Sequence, residues 1–314
     1  MTEKKSLQNL RIIFMGTPAF AVASLDALVQ AGCNVVGVIT APDKPGGRGM
    51  KTQESAVKKY AVEKGLYILQ PEKLKNTNFI NELQSLHADV QAVVAFRMLA
   101  EIVWNMPPMG TINVHASLLP QYRGAAPNNW AVINGEKETG VTTFKLQHEI
   151  DTGNILMQQK LQIGNEETAG ELHDRLMKAG AGLLIKTLEP LAQRSLQEIP
   201  QADFPVTKIK HAPKIFTETC KINWHTNADS IYNLVRGLSP YPAAFNFIQD
   251  KQVKIYKCSK EISTPEILPG KFITDGKTFL KLACADGFIH ILELQMEGRR
   301  KMHIEDFLRG YRFQ

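Results

Sequence analysis

The sequence predicts an α/β protein: an N-terminal doubly wound, Rossmann-like parallel sheet followed by a smaller C-terminal OB-like β-barrel domain. Three features carry that prediction. Apolar runs alternate with helical periods through the first two-thirds of the chain, the pattern of successive βαβ units. Short strand-like runs at a spacing of about ten residues fill the last third, which suits a small barrel. Between them lies a stretch with Pro200, Pro205 and Pro213, residues that interrupt regular elements. The divisions are therefore 1–195 for the first domain, 196–213 for a linker and 214–314 for the second domain.

Taken in order, the run at 10–15 (Leu-Arg-Ile-Ile-Phe-Met) is almost wholly apolar, as a strand covered on both faces should be. Gly16-Thr17-Pro18 turns it into a helix over 19–31 that stops at Gly32. Residues 34–40 read as a second strand, 54–64 and 77–86 as helices, 90–96 as a third strand and 111–115 as a fourth. Open α/β sheets bind ligands beyond the carboxyl ends of their strands, and Gly16, Thr40, Phe96 and His115 all fall there. Further strands are expected at 141–146 and 155–163. Thr168 with Glu171 three residues on is a capping-box signature, opening a helix to about residue 195. A helix over 228–238 then precedes strands at 244–248, 253–256, 270–273, 278–283 and 287–294. No internal repeat or low-complexity tract is present.

Composition narrows the class. An apolar share of 44% with 22% charged residues over 314 positions is that of a globular protein with two domains. No apolar run nears the roughly 20 residues that span a bilayer, so no membrane association is expected. The polar, charged residues 1–10 are unlike a signal peptide. Cys33, Cys220, Cys258 and Cys284 are scattered without a CxxC, which argues against a zinc site and a disulfide framework and fits the cytoplasm. The net charge of +6 is uneven: residues 1–204 hold 20 basic against 20 acidic side chains, residues 205–314 hold 17 against 11. A neutral first part joined to a basic second part suggests a module for a polyanion.

The chemistry concentrates at 113–127. Asn113 and His115 stand at i and i+2, which on a strand puts both side chains on one face. An amide beside an imidazole suits acyl transfer to an amine: the imidazole takes the proton of the attacking amine, and the amide N–H steadies the developing oxyanion. Asp151, on a loop before the next apolar run, can orient the imidazolium as a carboxylate does in a triad. There is no GxSxG and no cysteine in a nucleophile setting, so direct transfer between two bound substrates is expected. Gly46-Gly47-Arg48-Gly49 forms a glycine-rich cationic loop, with Lys44, Arg48 and Lys51 placed to meet phosphates; it has neither P-loop nor dinucleotide-fingerprint spacing. Arg299, Arg300 and Lys301, and the segment 309–312, form basic clusters with Phe307 and Tyr311 interleaved, a pattern suited to an RNA backbone.

Nearly end to end, the chain resembles the methionyl-tRNA formyltransferases. The likeness rests on Phe14-Met15-Gly16-Thr17-Pro18, Pro42-Asp43-Lys44-Pro45, Gly47-Arg48-Gly49, Asn113-Val114-His115 with Ser117-Leu118-Leu119-Pro120, and Arg123-Gly124-Ala125-Ala126-Pro127. It continues through Thr139-Gly140-Val141-Thr142, Asp151-Thr152-Gly153, Ile222-Asn223-Trp224 and Ser239-Pro240-Tyr241-Pro242-Ala243. The resemblance implies a formyltransferase of translation initiation, with 10-formyltetrahydrofolate as co-substrate, initiator methionyl-tRNA as acceptor, no metal, and a monomer. It implies that Asn113, His115 and Asp151 are catalytic, and that Ser117, Leu118, Leu119 and Pro120 with Phe96, Met98 and Leu99 line the folate pocket. Lys44, Arg48, Lys51, Arg299, Arg300 and Lys301 would meet the tRNA. One departure is Arg97, where many relatives follow the aromatic with glycine. Related enzymes that formylate amino-sugar nucleotides share the Asn/His run, so the acceptor is the open alternative.

Overall fold

The computed structural model describes residues 4–46, 51–205 and 208–312. Two compact units make up the chain: Met1–Arg123 with Gly140–Leu161 and His173–Lys210, and Gly124–Thr139 with Gln162–Leu172 and His211–Gln314.

The first unit is built on a seven-stranded sheet in the order Ile155–Gln162, Glu138–Lys145, Thr111–His115, Val90–Val94, Arg11–Gly16, Asn34–Ile39, Ile68–Leu69. From Thr111–His115 to Ile68–Leu69 every pairing is parallel, and Glu138–Lys145 runs antiparallel to Thr111–His115. The central strands are the continuous apolar runs because helices cover both faces. Ile12 and Phe14 share one side with Leu25 and Leu28 of the helix Ala19–Gln30 and with Leu184 and Leu188. Ile13 and Met15 share the other with Phe79 and Leu83 of the helix Thr77–Ser85. All four strand residues are fully buried, each worth about 1.5–3 kcal/mol of hydrophobic burial.

Chain order reverses at one place in this sheet. From Arg11–Gly16 the chain moves outward to Asn34–Ile39 and Ile68–Leu69, then returns to the opposite flank at Val90–Val94. That is a topological switch point, and the two loops leaving it diverge to open a crevice. A cleft of about 700 Å³ lies there, lined by Thr17, Pro18, Ala41, Pro42, Lys44, Glu72, Ala95 and Arg97.

The second unit carries an antiparallel, curled sheet whose path runs Ala244–Ile248, Lys251–Ile262, Gly287–Met296, Leu280–Cys284, Phe272–Thr274, with Met302–His303 also on Gly287–Met296. The strands expected at 253–256 and 287–294 extend further than the apolar pattern marks, because many of the added residues, such as Lys257, Ser259 and Lys260, are paired in the sheet yet exposed. The helix Ala228–Leu238 packs Ile231, Val235 and Leu238 on this sheet with Ile255, Leu282, Ile289 and Leu294. A second helix, Pro127–Ile133, lies against the first, and Gly237 permits the approach: a Cβ there would meet Ile133 Cγ1 at 2.5 Å. Asn129 Nδ2 donates to the Gly237 carbonyl at 2.8 Å. Buried Arg236 donates to the carbonyls of Gly164 at 3.2 Å and Glu167 at 3.0 Å.

The expected capping box is present: Glu171 N donates to Thr168 Oγ1 at 3.3 Å and Thr168 N to Glu171 Oε2 at 2.8 Å, ahead of the helix Ala169–Ala192. Among the described residues no helix is long and apolar enough to cross a membrane.

Candidate active site

The strand Thr111–His115 lies between Val90–Val94 and Glu138–Lys145. Asn113 pairs with Val93 on one side and Phe144 on the other, and His115 with Thr142. Strand alternation puts the Asn113 and His115 side chains on one face at the carboxyl end of the sheet, as the spacing predicts. The Asn113 carboxamide is half-buried and makes no side-chain hydrogen bond among the described residues. Its donor and acceptor are both uncommitted.

His115 is held on three sides. Its ring is 7% exposed and meets the Phe144 edge at a centroid distance of 6.4 Å. Nε2 lies 2.9 Å from the Tyr122 carbonyl oxygen. A carbonyl can only accept, so Nε2 carries the proton and donates it. The neutral ring then keeps its lone pair on Nδ1. Facing Nδ1 at 3.9 Å is Asp151 Oδ2, beyond direct hydrogen-bond reach but within ion-pair distance. Tyr122 is itself in the left-handed region (φ 59°) and its N–H donates to the Lys210 carbonyl at 2.7 Å.

Asp151 sits in a tight turn with φ 55°, a conformation that aspartate tolerates better than larger residues. The next glycine has no alternative: a Cβ on Gly153 would lie 1.6 Å from the Lys145 carbonyl oxygen. The turn is fastened from a distant part of the chain. Gln201 Nε2 donates to the carbonyls of both Asp151 and Gly153 at 2.8 Å, and Gln201 Oε1 accepts from Arg123 Nε at 3.0 Å and Nη2 at 2.6 Å.

The segment after His115 is densely hydrogen-bonded. Ser117 Oγ donates to the Gln121 carbonyl at 2.6 Å, Thr142 Oγ1 donates to the Ser117 carbonyl at 2.7 Å and accepts from Leu119 N at 3.1 Å, and Gln158 Nε2 donates to the Leu119 carbonyl at 2.8 Å. Ser117, Leu119 and Pro120 are buried in this arrangement, while Leu118 is half-buried against Gly140. Phe96 and Leu99 are half-buried on the core, and Met98 is 75% exposed. Arg97 lies over the Phe96 ring, its guanidinium 5.7 Å from the centroid, and donates to the Glu72 carbonyl at 2.8 Å and to that of Pro71. It thereby ties the loop after Val90–Val94 to the loop after Ile68–Leu69 across the wall of the cleft.

Lys44 lines the cleft at the start of a short hairpin, Lys44–Gly46 with Lys51–Gln53. Arg48 lies outside the described residues, as does the side chain of Lys51. The hairpin's approach is anchored by Asp43, which accepts from Lys58 and, at 2.8 Å, from Gln70 Nε2. These bonds, Lys58 first, hold the Asp43 carboxyl below its ordinary range. In the second unit Arg299 folds over Tyr311 and Phe307 at 5.5 and 5.9 Å, and Lys301 pairs with Glu293 at 2.6 Å, whereas exposed Arg300 has no partner among the described residues. Among the described residues no group of three or more His, Cys, Asp or Glu side chains could hold a metal ion.

Tyr122, Thr142, Gln158 and Gln201 escape sequence reasoning. Tyr122 acts through its backbone carbonyl, Thr142 through its hydroxyl, and Gln158 and Gln201 through side-chain amides that bond carbonyls distant in sequence; only the turn-rich composition near Tyr122 hints at a need for such partners.

Comparison with known proteins gives a consistent result. The formyl transferase family model matches residues 10–188, and the model for the formyl transferase C-terminal domain matches residues 214–312. A methionyl-tRNA formyltransferase of Phocaeicola vulgatus is 54% identical, covering 99% of this chain and 97% of that protein. One of Bacteroides fragilis is 50% identical, covering 97% and 96%. Among solved structures, the sugar 3N-formyl transferase WlaRD, crystallised with dTDP and 5-N-formyl-THF, superposes with a TM-score of 0.67 at 20% identity, covering 93% of this chain and 99% of that one. An N-formyltransferase from Helicobacter canadensis, in complex with folinic acid and dTDP-3-aminofucose, gives 0.66 at 20% identity, covering 93% and 100%.

Proposed function

The chain belongs to the methionyl-tRNA formyltransferase family, and from that premise we propose that it transfers the formyl group of 10-formyltetrahydrofolate to the α-amino group of methionine on initiator tRNA. The observation that carries the chemistry is the Asn113 and His115 pair on one strand face, with Asp151 at 3.9 Å from Nδ1.

The amine must lose a proton to attack the formyl carbon. His115 Nδ1, the nitrogen left unprotonated by the Tyr122 bond, accepts it directly or through water, and Asp151 stabilises the imidazolium. The Asn113 carboxamide donates to the oxygen of the formyl group as charge gathers there, a contribution of about 2.7–4 kcal/mol for a donor of this kind. The amine adds to the formyl carbon to give a tetrahedral intermediate; its collapse breaks the bond from that carbon to the folate nitrogen, which takes up a proton from the imidazolium. No covalent enzyme intermediate is required.

The switch-point cleft is lined by Lys44 and Arg97 but by none of Asn113, His115 and Asp151, while exposed Met98 beside Phe96 and Leu99 offers an apolar edge to a flat ring. With Ser117 and Leu119 buried, the 117–120 segment serves the folate site chiefly by shaping its backbone. Lys44, Arg48 and Lys51 meet the acceptor end of the tRNA, and the second unit, which carries the excess positive charge and Arg300, meets its backbone. The protein works as a cytoplasmic monomer.

A second reading, transfer to the amine of a sugar nucleotide, is favoured by the fold shared with sugar N-formyltransferases. One assay separates the two: formyl transfer with charged initiator tRNA, charged elongator tRNA and an amino-sugar nucleotide as acceptors. Preference for the initiator supports the proposal, and transfer to the sugar alone overturns it. Arg48→Ala is expected to weaken tRNA use while folate binding persists; equal loss of both would place the loop in the folate site.

A further inference from the structure

Gln201 is a fully committed amide of the first unit. It is 6% exposed, and its carboxamide has both N–H donors and both acceptor lone pairs occupied. The donors go to the carbonyls of Asp151 and Gly153; the acceptor takes both Arg123 contacts. Arg123 directly follows Tyr122, whose carbonyl holds His115 Nε2. One side chain therefore bridges the segment that sets the imidazole and the turn that carries the carboxylate. Neither the Asp151 turn nor the Tyr122 backbone is in a relaxed conformation, since both have positive φ. Each needs an outside partner to hold it.

The geometry points to Gln201, seated by Arg123, as a positioning residue that fixes the distance between His115 Nδ1 and Asp151 Oδ2. This rests on the reading of Asp151 as part of the catalytic set. Gln201 touches no reacting atom; it acts by keeping the carboxylate where the imidazolium will form. Misplacing such a group by about 1 Å can cost on the order of 100-fold in rate.

The test is Gln201→Glu, which keeps the shape and the Arg123 contact but turns an acceptor toward two carbonyls. We expect kcat to fall about 10- to 100-fold with KM for tRNA and folate within about twofold, and thermal stability to fall as the two carbonyls lose their donor, partly offset by the full charge pair gained at the Arg123 end. A cycle with Asp151→Asn gives the deciding measurement. If Gln201 works through Asp151, Gln201→Glu adds little further loss in the Asp151→Asn background. Full additivity, or a wild-type kcat in Gln201→Glu, overturns the inference while leaving the catalytic reading intact. A wild-type kcat in Asp151→Asn alone instead overturns the catalytic reading beneath it. Should Gln201→Glu fail to fold, Gln201→Met in the same cycle is read in the same way.

Discussion

His115 donates Nε2–H to the carbonyl oxygen of Tyr122 at 2.9 Å, and that bond decides which nitrogen of the ring is free to take a proton. Nε2 is held by the Tyr122 carbonyl; Nδ1 keeps its lone pair with Asp151 beside it, as the proposed mechanism requires.

His115→Gln separates these two duties. The glutamine amide can keep an N–H toward Tyr122 but offers no base. The variant should fold with a near wild-type melting temperature and lose about 10²- to 10⁴-fold in kcat. Retention of turnover would show that some other group takes the amine's proton. Nitrogen NMR of the wild type should find the neutral ring protonated at Nε2.

Asn113→Ala probes the opposite balance. Because the carboxamide has no hydrogen-bond partner among the described residues, its removal should leave urea stability almost unchanged. Turnover should fall by about 10²- to 10³-fold, as for loss of one oxyanion donor. A large loss of stability with little loss of kcat would make Asn113 a structural residue.

Asp43 supplies a pH signature. Its hydrogen bond from Lys58, and then that from Gln70, lower its pKa in the folded protein. The unfolded value is about 3.9, so the stabilisation is fully present above that pH and is lost as pH falls through the lower, folded value. The gap in urea midpoint between wild type and Asp43→Asn should be constant at neutral pH and close in acid. A gap that stays constant down to full acid unfolding would rule out this anchor for the hairpin.

Thiol chemistry should be quiet. Burial pushes the Cys258 thiol up to about 12, and burial followed by Glu189 pushes Cys33 up to about 11. Since the thiolate is the reactive form, iodoacetamide at neutral pH should modify both slowly in the native protein and rapidly in urea, as read by mass spectrometry. Fast native labelling of Cys258 would contradict its burial.

Much of this was legible because the informative residues lie in runs. Central parallel strands are covered on both faces, so 10–15 and 90–96 read as strands from their apolar runs, and their alternation with helices gives the doubly wound parallel sheet. The Asn113 and His115 pair is legible from alternation alone. The remainder depends on geometry that no local pattern encodes. That Asp151 reaches His115 depends on a positive φ and on Gln201 50 positions later. Arg299 and Lys301 read as free cations, yet one folds over aromatic rings and the other is paired with Glu293. Arg97 bonds two carbonyls whose approach is purely tertiary.

The grouping of Gly124–Thr139 and Gln162–Leu172 with His211–Gln314 has a consequence during synthesis. The helix Pro127–Ile133 leaves the ribosome well before its partner Ala228–Leu238 exists. At about 5–20 residues per second the wait is on the order of 5–20 s, long against the roughly microsecond formation of a helix. Throughout it Ile133 faces nothing that Gly237 will later bring, and Arg236 has not yet arrived to collect the carbonyls of Gly164 and Glu167. The middle of this nascent chain therefore waits for its packing partners until the last hundred or so residues emerge.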